Sequence, residues 1–147
     1  MSRRLLVAAT VLKQAGWAPA LVLLLHLLLS RGLNAYVLYP PIDIPMHYFG
    51  GVAVAFFLSR CFAAVPAEVI PGRARPVVEF VCVAGLTTTV AVAWEFAEFF
   101  TDTFLGTHAQ LGLEDTLLDL ALGMIGGVSY LIVAMRKEWR RRADRRG

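Results

Sequence analysis

The stretch WEFAEFFTD, residues 94–102, closes a long apolar run that begins at Val77. A run this long and this apolar predicts a membrane-spanning helix. Its acids are spaced i,i+3 and i,i+4, so a helix places Glu95, Glu98 and Asp102 along one side, near its negative C-terminal end. Each carboxylate there needs a proton, a cation, water or a hydrogen-bond donor. What supplies that compensation is therefore the functional question.

The composition excludes a soluble protein. Of the 147 residues 58% are hydrophobic and 17% are charged, with a mean hydropathy of +0.64, whereas soluble domains carry about 25% charged residues. Four apolar runs dominate the chain, and a soluble fold could not bury them all. We expect an all-α, integral membrane four-helix bundle forming one domain, residues 1–147. The spans are predicted at about residues 17–38, 46–62, 77–100 and 114–135, with a basic tail at 136–147.

The N-terminal region allows two interpretations. Residues 1–14 are predicted to form a short amphipathic helix on the membrane surface, followed by the retained first span. The alternative is a cleaved signal peptide, with an apolar core at residues 21–29 and a cut after Ala35. Lys13 interrupts the approach to the apolar core and Arg31 follows it, which favours a retained span.

Basic residues predict the orientation in the membrane. Under the four-span model all 14 lysines and arginines except Arg31 fall on one side, and that side is expected to be cytoplasmic. We therefore predict a multi-pass protein of the bacterial inner (cytoplasmic) membrane with the N-terminus and C-terminus cytoplasmic. The tail at 136–147 is expected to contact anionic lipid head groups of the bilayer. No nucleic acid partner is expected, because a tail beside a span has a topological reason to be basic.

Small residues recur at helical spacing. Gly51 and Ala55 form one small-xxx-small pair, and Gly123 and Gly127 form another, with Gly126 beside it. Such pairs allow close approach of membrane helices. We expect them to serve helix packing, within one chain or in a homo-oligomer.

Three isolated residues receive structural interpretations. His26 lies among leucines and is expected to be a neutral histidine hydrogen-bonded to a neighbouring helix. Cys61 and Cys82 lack metal-ligand spacing, so we expect reduced packing thiols.

Polar pairs at three helix ends are the candidate site. Four packed helices could point these pairs into a common cavity on the outer side. Carboxylates with one imidazole suit a divalent cation such as Zn²⁺, Mn²⁺ or Mg²⁺, and two carboxylates sharing a proton can act as general acid and base. The candidate metal ligands are His47, Glu95, Glu98 and Asp119; the candidate catalytic residues are these four and Asp115.

Other acids on that side are interpreted without a role in catalysis. Asp43 pairs with His47 at i,i+4, and Asp102 and Glu114 are expected to be solvated. The alternative for the whole set is a wet vestibule whose acids only hydrogen-bond each other or the loops. The chain contains no known catalytic motif, so the sequence assigns no reaction.

Several of these segments resemble a known family. Residues 94–98 (WEFAE), 115–119 (DTLLD) and 123–127 (GMIGG) resemble the small bacterial inner-membrane proteins called VanZ-like and YjdF-like. Residues 43–51 (DIPMHYFGG) are similar to the YjdF-like group. The VanZ-like group is associated with resistance to teicoplanin-type glycopeptide antibiotics. The resemblance, over roughly residues 43–127, implies the membrane topology and the acidic pairs rather than a reaction.

Three function hypotheses follow. The first is a metal- or proton-dependent enzyme acting on a lipid-linked or envelope substrate. The second is a small cation- or proton-coupled transporter, which should need ionisable or unwound elements deeper in the membrane, or an oligomeric pore. The third is a non-catalytic envelope or scaffold protein. The enzyme hypothesis requires Glu95 and Asp119 to converge within about 10 Å.

Overall fold

The computed structural model describes residues 3–66, 68–70, 72 and 74–144. All regular secondary structure in this part of the chain is helical, which confirms the predicted all-α fold. The elements are α1 (Arg3–Ala15), α2 (Trp17–Leu27) with a π-helical turn (Leu28–Gly32), α3 (Ala35–Leu38), a 3-10 turn (Pro40–Ile42), α4 (Asp43–Ala63), α5 (Arg75–Leu105) and α6 (Leu113–Asp144).

Three helices are long and apolar enough to cross a membrane. They comprise residues Pro40–Ala63, Arg75–Leu105 and Leu113–Arg141. The pair Leu5–Ala15 and Trp17–Gly32 passes the same test only as one span bent by 51°. The described chain therefore holds three spanning helices, or four if the bent pair crosses as one.

The first predicted span differs from the structure. One helix over residues 17–38 was expected, but the helical path stops at Gly32 and resumes only in the short α3. Asn34 lies between them in the left-handed region at φ 51°, which asparagine tolerates better than most residues. This break lets α3 fold back towards α2.

The third span extends beyond its predicted end. Phe104 and Leu105 continue α5, and Gly106 ends it in the left-handed conformation at φ 66°, as helix C-caps commonly do. Glu95 therefore lies ten residues, about 15 Å, before the helix end. Because the helix dipole acts only within the last turn, it does not bear on Glu95 or Glu98 as the sequence suggested.

The predicted tail is largely helical. α6 continues through Asp144, so residues 136–144 prolong the last span rather than form a separate segment. Arg73, Arg145 and Arg146, which entered the charge count, lie outside the described residues.

Glycines bring the backbones of α4 and α6 into contact. A Cβ atom added to Gly51 would lie 2.0 Å from the carbonyl oxygen of Gly123. One added to Gly126 would lie 2.0 Å from the carbonyl oxygen of Tyr48. The small-residue motifs thus pack helices within one chain, which leaves the homo-oligomer hypothesis without their support.

One end of the bundle is tied by arginines. The Arg75 guanidinium donates to the carbonyl oxygens of Phe62 (3.2 Å) and Val65 (2.9 Å), at the C-terminal end of α4. The guanidinium carbon Cζ of Arg75 lies 5.3 Å from the centroid of the Phe62 ring. Arg60 donates to the side-chain oxygen of Gln14 at 2.7 Å, which joins α4 to α1. These residues, counted in the sequence only for their charge, also hold helix ends together.

Both cysteines are free thiols. Cys61 is partly buried, as a packing thiol would be. Cys82 is exposed on α5, so its side chain faces outward and the packing interpretation does not hold for it.

The glycine contact yields the first prediction. Gly126→Ala should lower the free energy of unfolding by about 1–3 kcal/mol, because α4 and α6 must separate to admit the methyl group. Circular dichroism in mixed dodecyl maltoside and SDS micelles measures this change. Gly85→Ala is the control, because nothing lies within 4 Å of a Cβ there. Equal stability of the two variants would show that the backbone contact does not hold the helices together.

Candidate functional site

His47 is the centre of the candidate site. Its Nε2 lies 3.2 Å from Asp43 Oδ1 and 3.7 Å from Asp119 Oδ1, and its Nδ1 lies 4.0 Å from Glu95 Oε1. Glu98 joins His47 and Glu95 in a group whose nearest oxygen and nitrogen atoms lie within 4.8 Å of one another. We name Asp43, His47, Glu95, Glu98 and Asp119 the carboxylate–imidazole cluster. It draws side chains from α4, α5 and α6, so the predicted convergence occurs.

The glycine contact positions the two sides of this cluster. Gly51 follows His47 by four residues on α4, and Gly123 follows Asp119 by four residues on α6. An i,i+4 spacing puts each pair on one helix face. Because Gly51 meets the backbone of Gly123, the faces that carry His47 and Asp119 are pressed together one turn away. Bulkier residues at the glycines would move the imidazole away from the carboxylate.

Burial makes the charge of the cluster costly. Glu95 is 6% exposed and Asp119 is 3% exposed. Among the described residues, the imidazole of His47 is the ion-pair partner of the cluster carboxylates, and no lysine or arginine reaches them. Four carboxylates with one imidazole stay negative even when His47 is protonated. Uncompensated buried charge costs several kcal/mol, so the cluster requires protons or a cation.

The geometry suits a cation. Two groups of three could each hold an ion, with ligand atoms within 4.8 Å of one another: Asp43, His47 and Asp119, or His47, Glu95 and Glu98. Two ligands bound about 2.1 Å from one ion lie roughly 3–4 Å apart. The 3.7 and 4.0 Å separations of His47 from Asp119 and Glu95 are too long for hydrogen bonds and fall in that range.

Two residues that sequence reasoning did not nominate orient the glutamates. Trp94 Nε1 donates to Glu98 Oε1 at 2.8 Å. The side-chain amide of Gln110 donates to the carbonyl oxygen of Glu95 (3.0 Å) and to its Oε2 (3.2 Å). The i,i+4 spacing of Trp94 and Glu98 could have indicated the first contact. Gln110 carries no such signal, because it reaches Glu95 from a loop.

Asp102 is partly exposed, in line with the expectation of a solvated acid, but it also accepts hydrogen bonds from the following loop. One carboxylate oxygen accepts from the Thr107 hydroxyl (2.5 Å) and the Ala109 backbone N–H (2.8 Å), and the other accepts from the Gln110 backbone N–H (2.9 Å). Charged acceptors make the stronger hydrogen bonds of proteins. Asp102 therefore shapes the loop that carries Gln110 to Glu95.

Asp115 lies outside both candidate ligand groups. Its Oδ2 accepts from the backbone N–H of Leu111 at 3.0 Å, at the start of α6. Its role in the site together with Asp119 stays a prediction. Glu114 is exposed, as expected.

His26 forms the predicted hydrogen bond with an unexpected partner. Its Nδ1 lies 2.9 Å from the Tyr36 hydroxyl, in α3 rather than in a neighbouring span. Its ring meets Trp94 edge-on, with centroids 4.9 Å apart. His26 and His47 also line one cavity. That proximity could not be predicted from helical spacing, because the two histidines lie on different helices.

Comparison with known proteins supports a membrane protein. Residues 9–140 match the family described as "Predicted membrane protein (DUF2238)". An uncharacterized protein of Thermotoga maritima is 29% identical over 132 residues, covering 81% of this chain and 63% of that protein. The chain thus spans less than two thirds of that relative. No solved structure matches the chain.

The loop contacts yield the second prediction. Asp102→Asn should speed hydrogen exchange of the Ala109 and Gln110 amides by about tenfold or more, because an amide side chain cannot accept at both positions and loses the charge. Hydrogen–deuterium exchange followed by mass spectrometry measures this. Glu114→Gln, in an exposed side chain at the start of α6, serves as the control. Unchanged exchange in Asp102→Asn would mean that Asp102 does not order the loop.

Proposed function

Because the chain belongs to the DUF2238 family of predicted membrane proteins, whose description names no activity, we propose its function from the carboxylate–imidazole cluster. The protein is a membrane-embedded enzyme that uses a divalent cation to act on a lipid-linked or envelope substrate. One observation carries the proposal. Four carboxylates and one imidazole from three helices converge and are largely buried, and no described lysine or arginine forms an ion pair with these carboxylates.

The chemistry of the ligands indicates which divalent cations the cluster could bind. Carboxylate oxygens with one imidazole nitrogen suit Mn²⁺ or Mg²⁺, and three such ligands with an open position also suit Zn²⁺. A bound ion would polarise a phosphoryl or acyl oxygen and would lower the pKa of a coordinated water. If Asp43, His47 and Asp119 hold the ion, Glu95 and Glu98 remain to accept the proton of the attacking water. Trp94 and Gln110 would then position these two bases.

The packing favours an enzyme over a carrier. Ala55, Val83 and Leu131 are fully buried and form the apolar core of the helices. They follow His47 and Asp119 by two to three turns on α4 and α6, and precede Glu95 by three turns on α5. This apolar layer lies between the cluster and the arginine-tied end of the bundle. A carrier would have to open it, whereas an enzyme at one surface leaves it intact.

The family resemblance supports the location of the site. The segments that resemble VanZ-like and YjdF-like proteins, residues 43–51, 94–98 and 115–119, supply every member of the cluster. We propose that the chain is related to that group through this site. The group's link to glycopeptide resistance is compatible with an envelope substrate.

Charge supports an orientation. Arg60 lies in the last turn of α4 and Arg75 begins α5, at the end of the bundle where the basic part of α6 also lies. We propose that this end and both termini are cytoplasmic in a bacterial inner membrane, with the cluster opening outward. The basic end of α6 would then meet anionic lipid head groups.

Orientation gives the third prediction. In a variant lacking Cys61 and Cys82, His108→Cys should react with a membrane-impermeant maleimide in intact spheroplasts. Trp139→Cys should react only after permeabilisation, because it lies at the opposite end of α6 from the loop. Both native side chains are exposed, so access by the reagent is set by the membrane. If Trp139→Cys alone were labelled in intact spheroplasts, the orientation in the membrane would be the opposite of the proposed one.

Metal content gives the fourth prediction. Protein purified in detergent and loaded with Mn²⁺ should retain about one ion per chain, measured by inductively coupled plasma mass spectrometry. Asp119→Asn should reduce retention by about 10-fold or more, because it removes a buried ligand. Glu114→Gln should retain the ion. Equal retention by all three proteins would rule out the cluster as the metal site.

Catalysis is tested on the lipids themselves. The metal-loaded protein is incubated with a bacterial polar lipid extract, and mass spectrometry compares the products with those of Asp119→Asn. Metal-dependent conversion of one lipid class by the wild type and Glu114→Gln alone supports the enzyme. Metal retention without any conversion across lipid and cell-wall precursor extracts favours a carrier or scaffold.

A further inference from the structure

A cavity of about 230 Å³ lies beside the carboxylate–imidazole cluster. It is bounded by α2, α4, α5 and α6, and polar groups stand at one end, where His26, His47 and Trp94 line it. Trp94 and Thr87 both line it and are separated by seven residues on α5. The cavity therefore extends about 10 Å along that helix, away from the cluster. Most of its wall is aliphatic.

The cavity opens sideways between α2 and α5. Leu23 on α2 and Val90 on α5 both line it, yet they are 46% and 45% exposed. Val90 lies at the middle of α5, which runs from Arg75 to Leu105. In a spanning helix that position is at the depth of the hydrocarbon core. The opening therefore faces lipid chains rather than water.

The side chains that line the cavity indicate what kind of molecule it can bind. Thr87 is 2% exposed, and its hydroxyl is buried with no hydrogen-bond partner. Elsewhere along the deep part of the described wall the side chains are apolar, among them Val22 and Val54. A polar solute would lose its hydrogen bonds to water there at a cost of several kcal/mol. A hydrocarbon chain gives up no hydrogen bonds on leaving the bilayer.

We propose that this cavity binds one hydrocarbon chain of a membrane amphiphile, which enters between α2 and α5 and places its polar group at the carboxylate–imidazole cluster. The catalytic consequence rests on the proposed function, since it names the substrate as an amphiphile held by its chain. Chain binding itself does not require the ion.

Trp94 connects the chain to the cluster. Its ring lines the cavity, and its Nε1 donates to Glu98. His26, bonded to Tyr36, meets the same ring edge-on and bridges α2 and α5 at this end. A chain seated against Trp94 therefore touches the residue that orients a cluster carboxylate.

The ring also provides the experimental readout. Trp17→Phe and Trp139→Phe leave Trp94 as the single tryptophan of the chain. This double variant, called the parent protein below, is solubilised in detergent and titrated with dibromostearoyl phosphatidylcholine. The bromine atoms of this lipid quench tryptophan fluorescence at short range. Chain binding predicts a saturable quenching component.

Matched variants locate the bound chain. Val22→Phe fills the cavity, and Val90→Phe narrows its opening at a partly exposed position that tolerates added size. Each should lower the apparent affinity by about tenfold, the equivalent of excluding roughly two methylene groups. Val92→Phe is the control, since Val92 is 38% exposed on the same helix and does not line the cavity. Thr87→Val should keep the affinity of the parent, because a hydrocarbon chain makes no use of the hydroxyl.

The outcomes separate this proposal from the metal site. Asp119 does not line the cavity, so saturable quenching that persists in Asp119→Asn supports chain binding whatever the metal content of that variant. Absence of saturable quenching in the parent overturns the proposal, as does equal quenching in Val22→Phe, Val90→Phe and Val92→Phe. Loss of quenching in Thr87→Val would show that binding depends on the hydroxyl, which overturns a hydrocarbon chain as the occupant.

Discussion

The backbones of α4 and α6 lie in direct contact, and both the helix packing and the geometry of the candidate site follow from that contact. At Gly51 and Gly126 a carbonyl oxygen of the neighbouring helix lies so close that any side chain would clash with it. In a membrane, where lipid tails remove the hydrophobic drive for helix association, such close packing supplies much of the attraction. One turn from this contact, the same faces carry His47 and Asp119. The same helix faces therefore provide both the packing contact and the candidate site.

The polar groups are separated along the bundle. The carboxylate–imidazole cluster occupies one end, arginines tie the other, and buried apolar residues such as Val83 and Leu131 lie between. A lipid-facing cavity reaches the cluster from the side, between α2 and α5. This arrangement would let the proposed reaction centre meet the proposed amphiphile without opening a path through the membrane.

Periodicity predicted which residues share a helix face, and so the meeting of His47, Glu95 and Asp119 could be anticipated. It could not predict where helices stop. The apolar Phe104 and Leu105 prolong α5 into a segment that was expected to be loop, and Asn34 interrupts a run expected to be one helix. The hydrogen bonds of Gln110 were beyond prediction, because they join a loop to a residue 15 positions away.

If a cation belongs between the converging carboxylates, the imidazole of His47 should be among its ligands. Electron spin echo envelope modulation of the Mn²⁺-loaded protein detects nitrogen nuclei bound to the metal. We expect a coupling from one histidine nitrogen that disappears in His47→Gln while it persists in His26→Gln. A Mn²⁺ signal without histidine coupling, or one unchanged in His47→Gln, would show that no cation lies at this imidazole.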